Sequence, residues 1–170
     1  MRISDTRVFG IVGWKNSGKT GLMERLVADI TARGFTVSTI KHAHHSFDVD
    51  HPGRDSHRHR VAGASQVMLA SGNRWALMHE LRGAPEPSFE TLLAKMSPVD
   101  LILVEGYKRE AHPKIECYRT AVSDPLRLHD DNTICAVATD TDVGKLQVPI
   151  FDLNETKTIA DFILNHQDLT

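Results

Sequence analysis

Residues 13–20 read Gly-Trp-Lys-Asn-Ser-Gly-Lys-Thr, and the apolar run Val-Phe-Gly-Ile-Val occupies residues 8–12 directly before them. The eight residues match the pattern G-x-x-x-x-G-K-[ST], which is informative only between a strand and a helix. Both neighbours are present. Residues 8–12 read as a buried strand, and Leu22, Leu26 and Ile30 recur at helical spacing after the loop. The stretch therefore predicts a strand, a phosphate-binding loop and a helix in succession.

Such a loop binds phosphate mainly through its main chain. Consecutive backbone N–H groups form a concave anion site, and the N-terminus of the next helix adds partial positive charge. We predict that Lys19 reaches the β- and γ-phosphates of a nucleoside triphosphate and that the Thr20 hydroxyl binds Mg²⁺. A glycine-rich turn without a ligand is the alternative. The residues predicted to bind the nucleotide in this loop are Gly13, Trp14, Lys15, Asn16, Ser17, Gly18, Lys19 and Thr20.

The rest of the chain alternates strand-like and helix-like segments. Ser-Gly-Asn at residues 71–73 reads as a hairpin turn, and Ser88 and Asn154 are expected to cap helices. This order predicts an α/β, P-loop NTPase-like three-layer fold, with a mostly parallel sheet, helices on both faces and an added antiparallel hairpin. Further strands are expected at residues 35–40, 66–70, 75–80, 101–104, 114–118, 133–138 and 148–153, and a short helix at about 56–62.

Length and composition fit one α/β domain over residues 1–170. Lys and Arg total 20 against 22 Asp and Glu, so the net charge of −2 gives no reason to expect nucleic acid or a membrane as partner. Cys117 and Cys135 form no C-x-x-C pair, which fits a reducing compartment. No apolar stretch reaches the length of a membrane span or a secretion signal. We therefore expect a cytoplasmic protein.

A P-loop site needs a carboxylate at the end of a neighbouring strand to hold the magnesium ion and its water shell. Glu105 follows the continuous apolar run at residues 101–104, at the ligand-bearing edge of an open α/β sheet. Asp100 lies at the opposite end of that strand. We therefore predict that Glu105 is a metal ligand and a catalytic residue, against the alternative of a solvated carboxylate at a strand end.

The polar segment at residues 41–56 follows the second predicted strand and would start near the same edge of the sheet. Asp48, Asp50 and Asp55 are its candidates for binding Mg²⁺ or positioning an attacking water, while Lys41 and Arg54 could neutralise phosphate. We assign Lys19, Asp50 and Glu105 as catalytic, and Thr20, Asp50 and Glu105 as metal ligands. A polar surface loop is the alternative for the whole segment.

Histidines are concentrated in the same region. No pair has the i, i+4 spacing of a helical metal face and no cysteine joins them, so surface or phosphate-facing roles are favoured over a zinc or nickel site. Six of the ten histidines are found here, namely His42, His44, His45, His51, His57 and His59.

Guanine selection is predicted at the end of a late strand. Asp140 follows residues 136–139, and a carboxylate there could accept hydrogen bonds from N1–H and the exocyclic amine of guanine. Adenine offers no such pair of donors, so an acid favours GTP over ATP. The sequence holds no N-K-x-D string, Asp142 competes with Asp140, and an ordinary turn aspartate is an equal alternative.

These motifs together resemble those of the MobB family of molybdopterin-guanine dinucleotide biosynthesis. Three stretches carry the resemblance: GWKNSGKT at residue 13, KHAHHSFDVDHPGRDSHRHRVAGA at residue 41 with RWALMHEL after it, and DLILVEGYK at residue 100 with HPKIECYR after it. The resemblance implies a homodimeric GTP-binding adapter with weak GTPase activity that assists MobA, the guanylyltransferase joining GMP to molybdopterin. It also implies triphosphate at residues 13–20, metal at Glu105, and the segment 41–56 over the phosphates. The outer strand of the hairpin 66–80 offers an unpaired edge for dimerisation.

Slow GTP hydrolysis in the presence of Mg²⁺ is the expected chemistry. The sequence shows no clear in-line base and no identifiable arginine finger, and Arg54, Arg58 or Arg109 could act in trans. Three alternatives stay open: a small-molecule kinase using the same loop, a histidine-rich nickel metallochaperone GTPase, and an interaction module with a vestigial site.

Overall fold

A computed structural model describes residues 7–43 and 47–169. The chain divides into two compact units, a larger one formed by residues 1–42 and 89–170 and a smaller one formed by residues 43–88. In chain order the elements are β1 (Val8–Val12), α1 (Lys19–Ala32), β2 (Val37–Lys41), α2 (Asp55–Val61), β3 (Gln66–Ala70), β4 (Trp75–His79), α3 (Phe89–Leu93), β5 (Leu101–Glu105), β6 (Lys114–Tyr118), a 3₁₀ turn (Arg127–His129), β7 (Ile134–Thr139), β8 (Ile150–Asp152) and α4 (Thr156–His166).

The larger unit is built on a six-stranded sheet in the order β2-β5-β1-β6-β7-β8. Every neighbouring pair in this sheet is parallel. β1 therefore lies between β5 and β6, and its carboxyl end points toward the same edge as theirs. The register places Ile11 of β1 and Lys41 of β2 opposite Glu105, the last residue of β5. The edge that bears ligands in open α/β sheets is thus assembled from strands that are far apart in sequence.

β5 shows that both faces of the sheet are covered. Leu101 and Leu103 belong to the main core cluster, which also contains the buried residues of α1 and α4, whereas Ile102 and Val104 pack with Phe89 of α3. The alternation follows from the twofold periodicity of a strand. It explains why the run is apolar at every position, as sheets buried on both faces require. The predicted three-layer fold, a parallel sheet with helices on both faces, is confirmed.

The smaller unit contains α2 and the antiparallel pair β3 and β4. The predicted hairpin is confirmed, and it forms a two-stranded sheet of its own with Met68 opposite Leu77. Arg60 of α2 joins the parts of this unit, because its guanidinium contacts Asp48 at 2.8 Å and Glu80 at 3.0 Å. The unit therefore relies on ion pairs more than on an apolar core.

Several local boundaries differ from the predictions; the last strand, for example, spans Ile150–Asp152 rather than residues 148–153. Two of the differences have a visible local cause. The second strand begins at Val37 rather than residue 35, because α1 ends at Ala32 and the chain reverses at Gly34 with φ of +96°. Asn154 does not cap the last helix, since Glu155 occupies that position without a side-chain hydrogen bond. The backbone N–H of Asn154 instead donates to Asp152 over 2.7 Å. Among the described residues, no helix has the length and apolar character needed to cross a membrane.

Candidate nucleotide-binding site

The loop of residues 13–18 joins β1 to α1, and its glycines are required by the backbone. Gly13 has φ of +144° and Gly18 has φ of +92°, and Asn16 also adopts a positive φ, of 64°. A Cβ on Gly13 would lie 2.4 Å from the carbonyl oxygen of Cys117. Residues with a side chain rarely adopt the φ values of Gly13 and Gly18, and at Gly13 there is also no room for a Cβ. The loop is thus a tight turn that leads directly into the helix.

Lys19 is folded into this loop. Its Nζ donates to the carbonyl oxygen of Trp14 over 2.5 Å and to Oγ of the fully buried Ser17 over 3.5 Å. Burial lowers the pKa of Lys19, while the nearby Cys117 and Glu105 act in the opposite direction. A partly desolvated ammonium attracts an anion more strongly than a fully hydrated ammonium does, because the local dielectric is lower.

Thr20, Glu105 and Lys41 converge on the carboxyl ends of β2 and β5. The Thr20 hydroxyl donates to Oε1 of Glu105 over 3.4 Å, and Nζ of Lys41 lies 3.2 Å from the same oxygen. The Glu105 side chain is only 11% exposed. A hydroxyl and a carboxylate side by side are hard oxygen donors of the kind that Mg²⁺ takes in phosphate sites.

The residues present therefore fit a nucleoside triphosphate with Mg²⁺. The loop amides and Lys19 would hold the phosphates, and Thr20 and Glu105 would hold the metal. The fit rests on two observations: a Cβ would fill the space at Gly13, and the Thr20 hydroxyl and the Glu105 carboxylate, two oxygen ligands for a metal, lie next to the loop. The sequence placed each of these residues in the site, and the fold brings them together in the larger unit.

A cationic cluster beside the loop was not found from the sequence. The Arg127 guanidinium carbon lies 3.6 Å from the centre of the Trp14 ring, and Nζ of Lys108 lies 5.8 Å from it. The indole N–H of Trp14 donates to the carbonyl oxygen of Pro125 over 2.8 Å. In the sequence, Lys108 and Arg127 are only basic residues in the loops after β5 and β6. Other loops contain basic residues as well, so the sequence gives no reason to place these two in the site.

A buried carboxylate holds this cluster in place. Glu116 of β6 is fully buried, and it accepts hydrogen bonds from the backbone N–H groups of Arg127 at 2.8 Å and Leu128 at 2.9 Å. Burial raises the pKa of Glu116, and the two amide bonds oppose that rise. Glu116 thereby fixes the start of the 3₁₀ turn that carries Arg127.

Asp140 directly follows β7 at the same edge of the sheet. Its Oδ1 accepts from the backbone N–H of Thr120 over 3.0 Å, and its Oδ2 lies 3.9 Å from Nε of Arg119. Asp142, the competing candidate, accepts from the backbone N–H of Gly144 within its own turn. Asp140, unlike Asp142, is therefore bound by the loop that follows β6. Its contact with guanine stays a prediction.

The other predicted residues belong to the smaller unit. Asp50 accepts from the Ser56 hydroxyl over 2.9 Å and from the His51 backbone N–H over 3.0 Å, and Nε of Arg60 lies 3.5 Å from its Oδ2. These contacts tie Asp50 to α2, and its roles as metal ligand and catalytic residue stay predictions. His44 and His45 lie outside the described residues. Within residues 7–43 and 47–169, no group of three or more His, Cys, Asp or Glu side chains is arranged to hold a metal ion.

Comparison with known proteins identifies relatives along nearly the whole chain. The family model described as "MobB: Molybdopterin guanine dinucleotide synthesis protein B" matches residues 8–140. A relative from Escherichia coli (strain K12), called molybdopterin-guanine dinucleotide biosynthesis adapter protein, is 40% identical over 160 residues, which are 92% of this chain and 91% of the relative. A protein of the same description from Haemophilus influenzae is 42% identical over 161 residues, covering 93% of this chain and 88% of the relative.

A solved structure agrees with this assignment. The crystal structure of a MobB protein homolog from Bacillus stearothermophilus superposes with a TM-score of 0.74 at 30% identity, covering 96% of this chain and 99% of that one. The family match covers the loop at residues 13–20 and the strands β1 to β7 of this chain. This chain belongs to the MobB family.

Proposed function

We propose that this protein is a GTP-binding adapter of molybdopterin-guanine dinucleotide biosynthesis and that it hydrolyses GTP slowly. The observation that carries the proposal is the geometry around Lys19. Its ammonium is held against the carbonyl of Trp14 at 2.5 Å, inside a loop whose first glycine admits no side chain. Thr20 and Glu105 stand next to it with two oxygen donors 3.4 Å apart.

Each residue has a distinct role toward the nucleotide. The amides of residues 13–18 and the ammonium of Lys19 bind and orient the phosphates, and Lys41 adds a second positive charge at the same edge. Thr20 and Glu105 hold Mg²⁺, which supplies neutralisation of phosphate charge when it is bound. None of the described residues at the loop is placed as an in-line base. We therefore expect a turnover on the order of 10⁻⁴ to 10⁻² per second, as in unassisted GTPases.

Guanine specificity is assigned to Asp140. One of its oxygens is already bound by the Thr120 N–H, which fixes the orientation of the carboxylate and leaves further acceptor positions for a base. An acceptor-only group selects N1–H and the amine of guanine, whereas adenine presents an unprotonated N1 there. Asp140→Asn replaces one acceptor by a donor and should reduce the preference for GTP over ATP.

The adapter role rests on the relatives. Proteins 40% and 42% identical to this chain over more than nine tenths of its length carry that description. We propose that the partner is the guanylyltransferase MobA, that the protein acts in the cytoplasm and that it forms a homodimer. The exposed apolar side chains of the hairpin, with Trp75 65% and Met68 61% exposed, support a protein contact on the smaller unit.

Competition binding tests the nucleotide site. GTP, GDP and ATP are titrated with Mg²⁺ against the native protein and against Lys19→Ala and Asp140→Asn. We expect tight binding of GTP and GDP, a loss of about 10- to 100-fold for Lys19→Ala because a charged hydrogen bond is removed, and a narrowed GTP/ATP ratio for Asp140→Asn. Lys157→Ala, an exposed lysine of α4, is the matched control. Equal affinities in the native protein and Lys19→Ala would refute the site.

The adapter role needs a separate measurement. Purified MobA is supplied with GTP and molybdopterin, and the rate of GMP attachment is followed with the native protein, with Lys19→Ala and without either. We expect stimulation by the native protein that Lys19→Ala does not give. If both proteins stimulate equally, the adapter works without its nucleotide. If neither stimulates, the assignment of MobA as partner is wrong.

A further inference from the structure

Trp14 is the one aromatic side chain of the loop at residues 13–20, and two cations converge on it. The guanidinium of Arg127 stacks on its ring at 3.6 Å, and Nζ of Lys108 lies 5.8 Å from the ring centre. Both distances lie within the range of cation–π attraction. The carbonyl of the same residue binds Lys19. Trp14 thus connects Lys19 of the loop motif with two cations that the motif does not contain.

Apart from the Trp14 ring, neither of the two cations has a charged or hydrogen-bonding partner for its side chain among the described residues. Over residues 7–43 and 47–169, Lys108 and Arg127 form no ion pair, and their side chains donate no hydrogen bond. Nε of Arg127 is buried from solvent without an acceptor. A buried guanidinium N–H without an acceptor is costly, because its lost hydration is not replaced. Glu116 accepts a hydrogen bond from the backbone N–H of Arg127 and attracts its guanidinium electrostatically, but the two side chains form no ion pair.

The charges in the cluster repel one another. Burial is the main cause that lowers the pKa of Lys108, and Arg127 and Lys19 lower it further. Arg127 also lowers the pKa of Lys19. Glu116 attracts Arg127 and Glu105 attracts Lys19, but no ion pair among the described residues neutralises Lys108 or Arg127. An anion that enters beside these cations therefore lowers their mutual repulsion.

Glu116 keeps the cluster assembled. Its buried carboxylate binds the N–H groups of Arg127 and Leu128, and the neighbouring Pro125 accepts the indole N–H of Trp14. β6 pairs with β1, and Glu116 lies opposite Val12, the residue just before the loop. The turn that carries Arg127 is therefore anchored through Glu116 to a strand of the sheet next to the loop, and such second contacts support precise ligand geometry.

We propose that Lys108 and Arg127, positioned on Trp14, form a phosphate subsite beside the nucleotide loop. The proposal rests on the proposed function for the identity of the nucleotide. A planar guanidinium presents two donors that match phosphate oxygens, and an ammonium adds a point charge. Two positive charges suit a phosphate that carries about −1.5 to −2 at neutral pH. The phosphate comes either from the terminal group of GTP or from a second phosphorylated molecule held beside the nucleotide.

Trp14 provides a direct readout. The protein has two tryptophans, so Trp75→Phe leaves Trp14 as the single indole fluorophore. An anion that draws Arg127 off the ring changes Trp14 fluorescence. In this background, GDP, a non-hydrolysable GTP analogue and inorganic phosphate are titrated, the last with and without saturating GDP. The variants are Arg127→Ala, Arg127→Lys and Lys108→Ala, and exposed Lys157→Ala is the charge-matched control. Dissociation constants are confirmed by calorimetry, because Arg127→Ala alters the starting fluorescence.

The two sources give different results. If the terminal phosphate of GTP occupies the subsite, Arg127→Ala and Lys108→Ala weaken the GTP analogue about 10-fold or more and leave GDP unchanged. If a second molecule supplies the phosphate, both nucleotides bind as before and inorganic phosphate on the GDP-loaded protein is weakened by the same factor. In either case Arg127→Lys retains part of the affinity, and Lys157→Ala has no effect.

The proposal is overturned if both variants stay within about twofold of the Lys157→Ala control for all ligands. A uniform loss for GDP and the GTP analogue alike also overturns it, since that result indicates a distorted loop. Failure of the proposed function is recognised separately. In that event no nucleotide binds to the native protein, and the subsite is retained only if inorganic phosphate alone still binds in an Arg127-dependent way.

Discussion

Thr20 and Glu105 share a hydrogen bond of 3.4 Å although 85 positions separate them in the chain. The same Glu105 oxygen lies 3.2 Å from Nζ of Lys41, so one partly buried carboxylate connects α1, β2 and β5. Thr20 and Glu105 are the metal ligands predicted in the larger unit, and this hydrogen bond holds them next to each other. Its consequences can be measured.

Glu105→Gln should weaken Mg²⁺-dependent GTP binding by about 10-fold or more, because a neutral amide replaces the carboxylate that binds the cation. Binding in the presence of a chelator should be unchanged. Stability should change by less than about 1 kcal/mol, since the lost ion pair joins the carboxylate to a lysine that is 60% exposed. Calorimetric titration with and without Mg²⁺ gives both affinities. Exposed Glu24→Gln on α1 is the control, and an equal loss in chelator would contradict a metal role.

Glu116→Gln should lower the free energy of unfolding by about 1–3 kcal/mol, because the amide group leaves one of the two buried backbone N–H donors without an acceptor. The affected donors belong to Arg127 and Leu128. The stacking of Arg127 on Trp14 should loosen at the same time, and the fluorescence of the Trp75→Phe background should shift. Urea unfolding and emission spectra test the two effects. Unchanged fluorescence with reduced stability would mean that the 3₁₀ turn keeps its position without Glu116.

His112 should make the protein less stable on acidification. Its two ring nitrogens are buried without a hydrogen-bond partner among the described residues, and burial, assisted by Lys114, lowers its pKa to about 4. The unfolded chain takes up the proton near pH 6.5, so the stability contributed by neutral His112 is present above that pH. It is lost as the pH falls toward 4, to an extent on the order of 3 kcal/mol.

The measurement is the free energy of unfolding between pH 7 and pH 4. His112→Leu should flatten the profile over this window, whatever its effect on stability at pH 7. His59→Ala, which removes an exposed histidine of α2, should keep the native slope. Parallel profiles for the native protein and His112→Leu would show that another group causes the loss.

Gly10→Ala should destabilise the larger unit by about 1–3 kcal/mol. A Cβ at this position of β1 would lie 2.7 Å from Nε2 of His112 and 2.8 Å from Cγ of Lys114, which is itself fully buried. The neighbouring side chains would have to move inside a packed core. Gly72→Ala provides the comparison, because a Cβ there meets nothing within 4 Å. Thermal unfolding of the two variants should differ clearly, and equal midpoints would show that the core accommodates the methyl group.

Much of the larger unit was predictable because its signals are local. The spacing of Leu22, Leu26 and Ile30 predicted a buried helix face, and all three side chains are fully buried. The run at residues 101–104 predicted a strand covered on both faces, as found. Boundaries were less certain where a cap was inferred from residue type, and Asn154 forms a turn contact with Asp152 instead of capping α4.

The sequence by itself determined the loop at residues 13–20, since its glycines, Lys19 and Thr20 act within one short segment and its conformation follows from backbone sterics. It also determined that Glu105 ends a buried strand. Only the tertiary structure decided what stands beside the loop. The bond from Trp14 to Pro125 spans 111 positions, and the pairing of β6 with β1 that creates it depends on long-range strand order. Arg127 and Lys108 became recognisable because packing brings both cations to the Trp14 ring. Glu116 became recognisable because its buried carboxylate binds the backbone of the turn that carries Arg127. Such contacts leave no periodic pattern along the chain.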